Sequence, residues 1–148
     1  MSFFDALSIS ASALGAERQR TEIIAANMAN ARTTRTQAGG PFRRREVVFE
    51  SSGTSSFRLA LARTGESRGP TPGSVQISQV VDDPSPAILR YEPGHPDANK
   101  EGYVAYPAIN PAAEMVDLMD SVRAYQLNAS AVAATKQMIQ QTIEILKS

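Results

Sequence analysis

The chain has 148 residues, with fifteen basic and fifteen acidic side chains and one histidine, so its formal net charge is zero at neutral pH. Without a global field, charge alone will not draw it to nucleic acid or to an anionic membrane. The absence of cysteine removes disulfides and thiolate metal sites and leaves the redox compartment open.

This length allows one domain, with room for an inserted subdomain. The N-terminus, MSFFDALSISASALG, carries Asp5 early and no Lys or Arg before Arg18. It lacks the basic start of a secretory signal peptide, and no apolar run in the chain is long enough to span a bilayer. A soluble protein is expected, with export by a route other than a cleaved signal left open. Residues 2–30 read as a long helix within an N-terminal segment 1–31. Ser2 and Asp5 have capping-box spacing, and Phe3, Leu7, Leu14, Thr21, Ile24 and Met28 mark an apolar seam with Ala11 and Ala25 beside it. The outer surface is small (Ser8, Ser10, Ser12, Ala13, Gly15, Ala16), and charge gathers only at Glu17, Arg18, Arg20 and Glu22. At the end of this helix Asn27 and Asn30 stand three apart on one face. Either Asn can enter the left-handed conformation and stop the helix; the pair can equally bond a neighbouring subunit.

Residues 32–109 form a β-rich middle region with few large apolar side chains. After a polar connection over 31–41, a strand is expected from Phe42 to Phe49 and another from Phe57 to Leu61. The Gly- and Pro-rich stretch near 64–74 is a loop. Val75, Ile77, Val80 and Val81 make a further strand, ended by Pro84 and Pro86. Ile88–Tyr91 and Tyr103–Tyr106 are placed to pair across the intervening YEPGHPDANKEGY.

The C-terminal segment 110–148 is the most regular. Met115, Leu118, Val122, Tyr125, Ala129, Val132, Lys136, Ile139, Ile143 and Leu146 follow alternating steps of three and four, a heptad seam broken by one Lys. Over Pro111–Leu146, at about 1.5 Å per residue, this helix would run roughly 54 Å. Asn110 suits the N-cap and Pro111 the first helical position; Glu114, Asp117 and Asp120 sit where the helix dipole favours acids. Between Arg123 and Glu144 the single charged residue is Lys136. The outward positions are Gln126, Asn128, Ser130, Ala131, Ala133, Ala134, Thr135, Gln137, Gln140, Gln141 and Thr142. A solvated helix face would carry alternating Glu and Lys, so these small, uncharged groups suggest a helix surrounded by other helices, with polar groups able to bond across the contacts. Two helices with matching seams, one at each end of the chain, pair most simply as an antiparallel coiled-coil hairpin. The fold class is then mainly α, with a small β region inserted between the paired helices.

Catalytic parts are scarce. His95 lies in Gly94-His95-Pro96-Asp97, where a turn histidine is the better reading than a ligand or a base. Asp82 and Asp83 stand beside Pro84 and Pro86, which favours a strand-ending turn over a working carboxylate pair. Arg43, Arg44 and Arg45 are the one basic run; with no interleaved aromatic they fit a solvated strand or an acidic protein partner better than nucleic acid. No catalytic residue, cofactor, metal or small-molecule substrate is expected, and no carboxylate pair has a setting for cell-wall glycoside cleavage.

Several motifs taken together resemble one family. Ile23-Ile24-Ala25-Ala26-Asn27-Met28-Ala29-Asn30 is similar to the N-terminal signature of the bacterial flagellar axial proteins, among them the basal-body rod proteins. Tyr91-Glu92-Pro93-Gly94-His95-Pro96, Gly102-Tyr103-Val104, Glu114-Met115-Val116 and Arg123-Ala124-Tyr125-Gln126 with Asn128 resemble its C-type proximal-rod branch. The likeness covers both ends and most of residues 88–148, while residues 50–80 carry little of it. It implies a structural subunit of the rod, the drive shaft that crosses the periplasm, assembled after uncleaved export through the flagellar type III apparatus. It implies partners among copies of the same chain and other rod proteins, with the membrane ring and hook-proximal subunits as further candidates, and terminal helices packed around a channel with the β-rich middle outward. The packing residues would then be Leu7, Leu14, Ile24, Asn27, Met28, Asn30 and the C-terminal seam, with Asn128. From another class, a cytoplasmic helical adaptor or export chaperone is the alternative; such a protein would normally carry charges at the e and g positions, which are missing here.

Overall fold

The computed structural model describes residues 3–52 and 73–147. Helix α1 spans Phe3–Ala29, strand β1 Arg45–Ser51, β2 Val75–Asp82, β3 Ile88–Tyr91, β4 Tyr103–Tyr106, and helix α2 Pro111–Lys147. Among the described residues two helices thus flank a small β region of two two-stranded sheets, β1–β2 and β3–β4. The expected cap at Ser2, the strand Phe57–Leu61 and nearly all of the 64–74 loop lie outside the described residues.

Local chemistry explains the element ends. α2 begins as expected: the Asn110 side-chain oxygen accepts the Ala112 N–H at 3.0 Å and its carbonyl accepts Glu114 N–H at 3.0 Å. Replacing Asn110 by Ala is expected to cost about 1 kcal/mol, read as a lower urea midpoint with an unchanged slope. α1 ends differently from the expectation. Among the described residues no non-glycine has positive φ, so neither Asn takes the left-handed conformation. Instead the Asn30 side chain donates to Ala26 C=O at 2.9 Å and accepts the Thr33 hydroxyl at 3.1 Å, while backbone Ala31 N–H reaches Met28 C=O at 3.3 Å. The last carbonyls are satisfied by a tightened turn.

β1 starts at Arg45, later than the expected Phe42. The Phe42 N–H is used by Thr33 C=O at 3.1 Å in the preceding connection, and Pro41 has no N–H to give. Ile88–Tyr91 and Tyr103–Tyr106 pair antiparallel as expected, in the register Ile88↔Tyr106, Leu89↔Ala105, Arg90↔Val104 and Tyr91↔Tyr103. Gly102, one residue before β4, has φ +84°, and a Cβ there would fall 2.8 Å from the Tyr91 ring and 3.3 Å from Pro93. Gly102→Ala therefore meets both a strained backbone and a ring that is itself held 5.3 Å from Tyr103. The expected cost is about 1–3 kcal/mol, visible as faster exchange of the Glu92 amide, which bonds Gly102 C=O at 2.9 Å.

The chain divides into two compact units: Met1–Gln19, Phe49–Ser78 and Val122–Ser148 form one, Arg20–Val48 and Gln79–Ser121 the other. In the first, Ala16 is buried and Ser52 and Ser74 are buried against each other, their hydroxyls 2.5 Å apart; the Ser12 hydroxyl accepts Val75 N–H at 3.0 Å. None of the α2 residues from Val122 to Lys147 is buried. In the second, Ile24, Val104, Pro107 and Ile109 are the buried apolar side chains, joined by buried Asn27, Glu114 and Ser121. That core is polar for its size. No described helix is long and apolar enough to cross a membrane.

Candidate functional site

Two of the fully buried side chains in the second unit, Asn27 and Glu114, belong to one polar cluster. Asn27 is 1% and Glu114 1% exposed. The Asn27 amide donates to Arg45 C=O at 2.9 Å and to Glu114 Oε2 at 3.1 Å, and its oxygen accepts Arg45 N–H at 2.9 Å. Every hydrogen-bonding group of the carboxamide except one oxygen lone pair is therefore used. The other Glu114 oxygen accepts from Arg44 Nε at 2.5 Å, and Arg44 also reaches Asp117 at 3.3 Å and pairs with Glu46. Partial burial works against the Arg44 charge, but the hydrogen bond and charge of Glu114, with Glu46 and Asp117, outweigh it and raise its pKa above the ordinary arginine value. Further along α2, the Ser121 hydroxyl, fully buried, is 2.9 Å from that of Thr21. As numbers rise from Thr21 to Asn27, those of their partners fall from Ser121 to Glu114.

These bonds reassign three expectations. Asn27, expected to stop the helix or bond another subunit, is spent inside the chain, while Asn30 closes the helix end. Glu114, expected as a dipole-favoured acid in the first turn, is the centre of the cluster. Arg44 turns inward, whereas Arg43 stays exposed and Arg45 lies 3.6 Å from Asp82 with its guanidinium over the Phe42 ring. The basic run is thus divided by its surroundings.

The predicted seam is divided as well. Ile24 and Asn27 are buried, while Leu7, Leu14, Met28 and Asn30 on α1, and Leu118, Asn128, Val132 and Ile139 on α2, are half-buried. Met115, Val122, Tyr125, Ala129, Lys136, Ile143 and Leu146 are exposed. The covered stripe takes Glu114, Ser121, Asn128 and Thr135 where the heptad pattern pointed to Met115, Val122, Ala129 and Lys136. Each is one residue earlier, a rotation of about 100°. Polar partners on α1 account for the first two. The signal was present as four polar residues at seven-residue spacing, and apolar periodicity passed over it.

Exposed apolar surface along α2 includes Met115 at 50%, Leu127 at 72% and Leu146 at 81%. Alongside it the small polar residues do not reach outward as expected. Asn128, Ser130, Thr135 and Thr142 each donate to the carbonyl four residues earlier, at 2.8–2.9 Å, which takes up the three hydroxyl donors and one of the two Asn128 amide hydrogens. The face offered is accordingly smoother and less polar than its sequence suggests.

The remaining candidates are structural. His95 is a turn residue whose Nδ1 accepts Asp97 N–H at 3.1 Å and whose ring meets Tyr106 edge-on at 6.3 Å. The Asp83 carboxylate accepts Ser85 N–H at 2.8 Å, and bonding to Ser85 lowers its pKa, as a strand-ending turn requires. Among the described residues no group of His, Asp and Glu is placed to hold a metal ion.

Comparison with known proteins bears on what such a surface is for. A family described as flagella basal body rod protein matches residues 7–36, and one described as flagellar basal body rod FlgEFG protein C-terminal matches residues 100–145. The flagellar basal-body rod protein FlgC of Bacillus subtilis (strain 168) is 42% identical over 151 residues, spanning 99% of this chain and 100% of the relative. That of Yersinia enterocolitica is 34% identical over 98% of each chain, and that of Borreliella burgdorferi 31% identical over 99% of each. These relatives are structural rod proteins, which leaves the adaptor or chaperone reading without support. With such identity over almost its whole length, the chain belongs to the flagellar basal-body rod protein FlgC family.

Proposed function

We propose that this chain is a structural subunit of the proximal part of the flagellar basal-body rod and transmits torque across the periplasm through packing rather than through a reactive group. The observation that carries the reading is the long exposed surface of α2, apolar around the helix at Met115, Val122, Leu127 and Leu146 and nearly free of charge beyond Arg123. Such a face is poorly suited to water and well suited to a tube of helices, where an unpaired charge would be costly.

On this reading segments 1–31 and 110–148 are axial helices that pair as an antiparallel coiled-coil hairpin, and 32–109 is the β-rich part facing outward. The opposed order of the Thr21–Ser121 and Asn27–Glu114 bonds supports the antiparallel sense. Leu7, Leu14, Ile24, Met28, Leu118, Val132 and Ile139 hold the hairpin. Met115, Val122, Tyr125, Ala129, Ile143 and Leu146 meet neighbouring subunits, and Lys136 meets an acidic side chain there. The neighbours are copies of this chain and other rod proteins, with the membrane ring and hook-proximal rod subunits beyond them. The chain reaches the rod through the flagellar type III export apparatus without cleavage. Before assembly the uncovered far part of α2 is poorly ordered and folds on joining the rod.

Deleting the gene in its source organism is expected to abolish motility and hook–basal bodies, and supplying it in trans to restore both. A deletion strain that swims normally would remove the proposal.

A further inference from the structure

The buried cluster has a property that packing does not require. The Asn27 carboxamide exchanges both an N–H and a C=O with the main chain of Arg45, each at 2.9 Å. That is the pattern a residue of a neighbouring strand makes in a closely spaced antiparallel pair, so a side chain from α1 acts as the strand partner at the start of β1. The second amide hydrogen goes to Glu114 on α2, whose other oxygen is held by Arg44, the residue next to that strand position. The Arg44 carbonyl in turn accepts Asp83 N–H at 2.7 Å, just beyond β2. Three elements that are distant in sequence therefore meet through one carboxamide, one carboxylate and one guanidinium, and the end of β2 joins them through the Arg44 carbonyl.

We infer that Asn27, Glu114 and Arg44 form an ordering lock, in which the end of α1, the start of β1 and the first turns of α2 become ordered together or not at all. The reason is stoichiometric. With α2 displaced, the Asn27 amide and the Arg44 guanidinium lose Glu114, their shared acceptor; with the end of α1 frayed, Arg45 loses its pairing at the strand edge and Glu114 is buried against one partner. Half-formed buried polar networks cost more than absent ones, so intermediate states are disfavoured. Asparagine is required because aspartate has the same shape but neither N–H, and would set a second carboxylate against Glu114. The inference stands on this geometry and is independent of the rod reading.

Amide hydrogen exchange on the full chain tests it. Asn27→Asp is expected to lower protection about tenfold or more at amides 115–120 on α2 as well as 45–48 on β1, and Glu114→Gln to do the same at 24–30 on α1. A loss confined to the substituted element, or wild-type amides already unprotected at these positions, would overturn the lock. A double-mutant cycle gives an independent reading: Asn27→Ala combined with Glu114→Ala should destabilise hardly more than the worse single change. Fully additive effects would overturn it. Should Asn27→Ala leave no folded chain, the milder pair Asn27→Ser and Glu114→Gln supplies the same cycle with the same two outcomes.

Discussion

Replacing Glu114 by alanine is expected to remove about 3 kcal/mol of stability, the largest loss of any single change outside the apolar core. Taking away one member of a buried ion pair leaves its partner uncompensated, which typically costs about 3–5 kcal/mol. The lower end applies because Arg44 keeps Glu46 and Asp117 and retains 22% exposure, so water relieves part of the loss. The Asn27 amide hydrogen left without an acceptor adds to it. Against a typical total stability of about 5–15 kcal/mol, such a loss is readily seen in urea unfolding followed by circular dichroism. Glu114→Gln, which keeps the shape and one acceptor, should lose roughly half as much. Arg44→Met with Glu114→Leu should recover part of the loss, since an apolar pair of similar volume replaces a buried ion pair at little cost, while the Asn27 amide hydrogen still lacks its acceptor. A Glu114→Ala loss below about 1 kcal/mol would mean that the cluster is far wetter than its burial indicates.

Ala129→Glu and Ala133→Glu are expected to act in the opposite way: almost no effect on the isolated chain and loss of assembly in the cell. Both residues are exposed, and surface substitutions away from special features usually fall within about 0.5 kcal/mol. In a packed tube each new carboxylate would be buried without a partner, at several kcal/mol per subunit, and the cost recurs at every copy. Export should continue, because both changes fall on the part of α2 that is uncovered before assembly, while swimming stops and the protein accumulates outside the rod. Swimming at the wild-type rate would show that this face of α2 is not buried in the assembly.

What the sequence made legible follows from the range of the forces involved. Asn110 and Pro111 mark the start of α2 through bonds to the next few residues, and the β3–β4 register follows from period-two patterning around a turn. Both are local. The length of α2 was legible for a similar reason, since nothing between Pro111 and Leu146 breaks a helix. The covered stripe was not legible, because heptad counting ranks residues by apolarity. Here Glu114 and Ser121 are covered by virtue of partners, Asn27 and Thr21, that lie 87 and 100 residues away. The same applies to Arg44, which its neighbours Arg43 and Arg45 make look like one member of a solvated run. Asn27 was noticed, with its role left open between a helix stop and a subunit contact; its spacing from Asn30 suggested a shared role, and only the approach of β1 separates them. Buried polar pairing across long sequence distances was the missing information; the family motifs carried Asn27 and Glu114 without saying what they bond.

The most direct test of the central claim uses the absence of native cysteine. An Ala133→Cys chain has one thiol, on the exposed side of α2, and can be treated with a maleimide as free protein and within detergent-extracted hook–basal bodies, then read by mass spectrometry. The chain should be present in the purified hook–basal bodies, with the introduced thiol labelled in the free protein and protected in the assembly. Absence from those particles, or equal labelling in both states, would contradict a rod subunit whose α2 face is buried between neighbours.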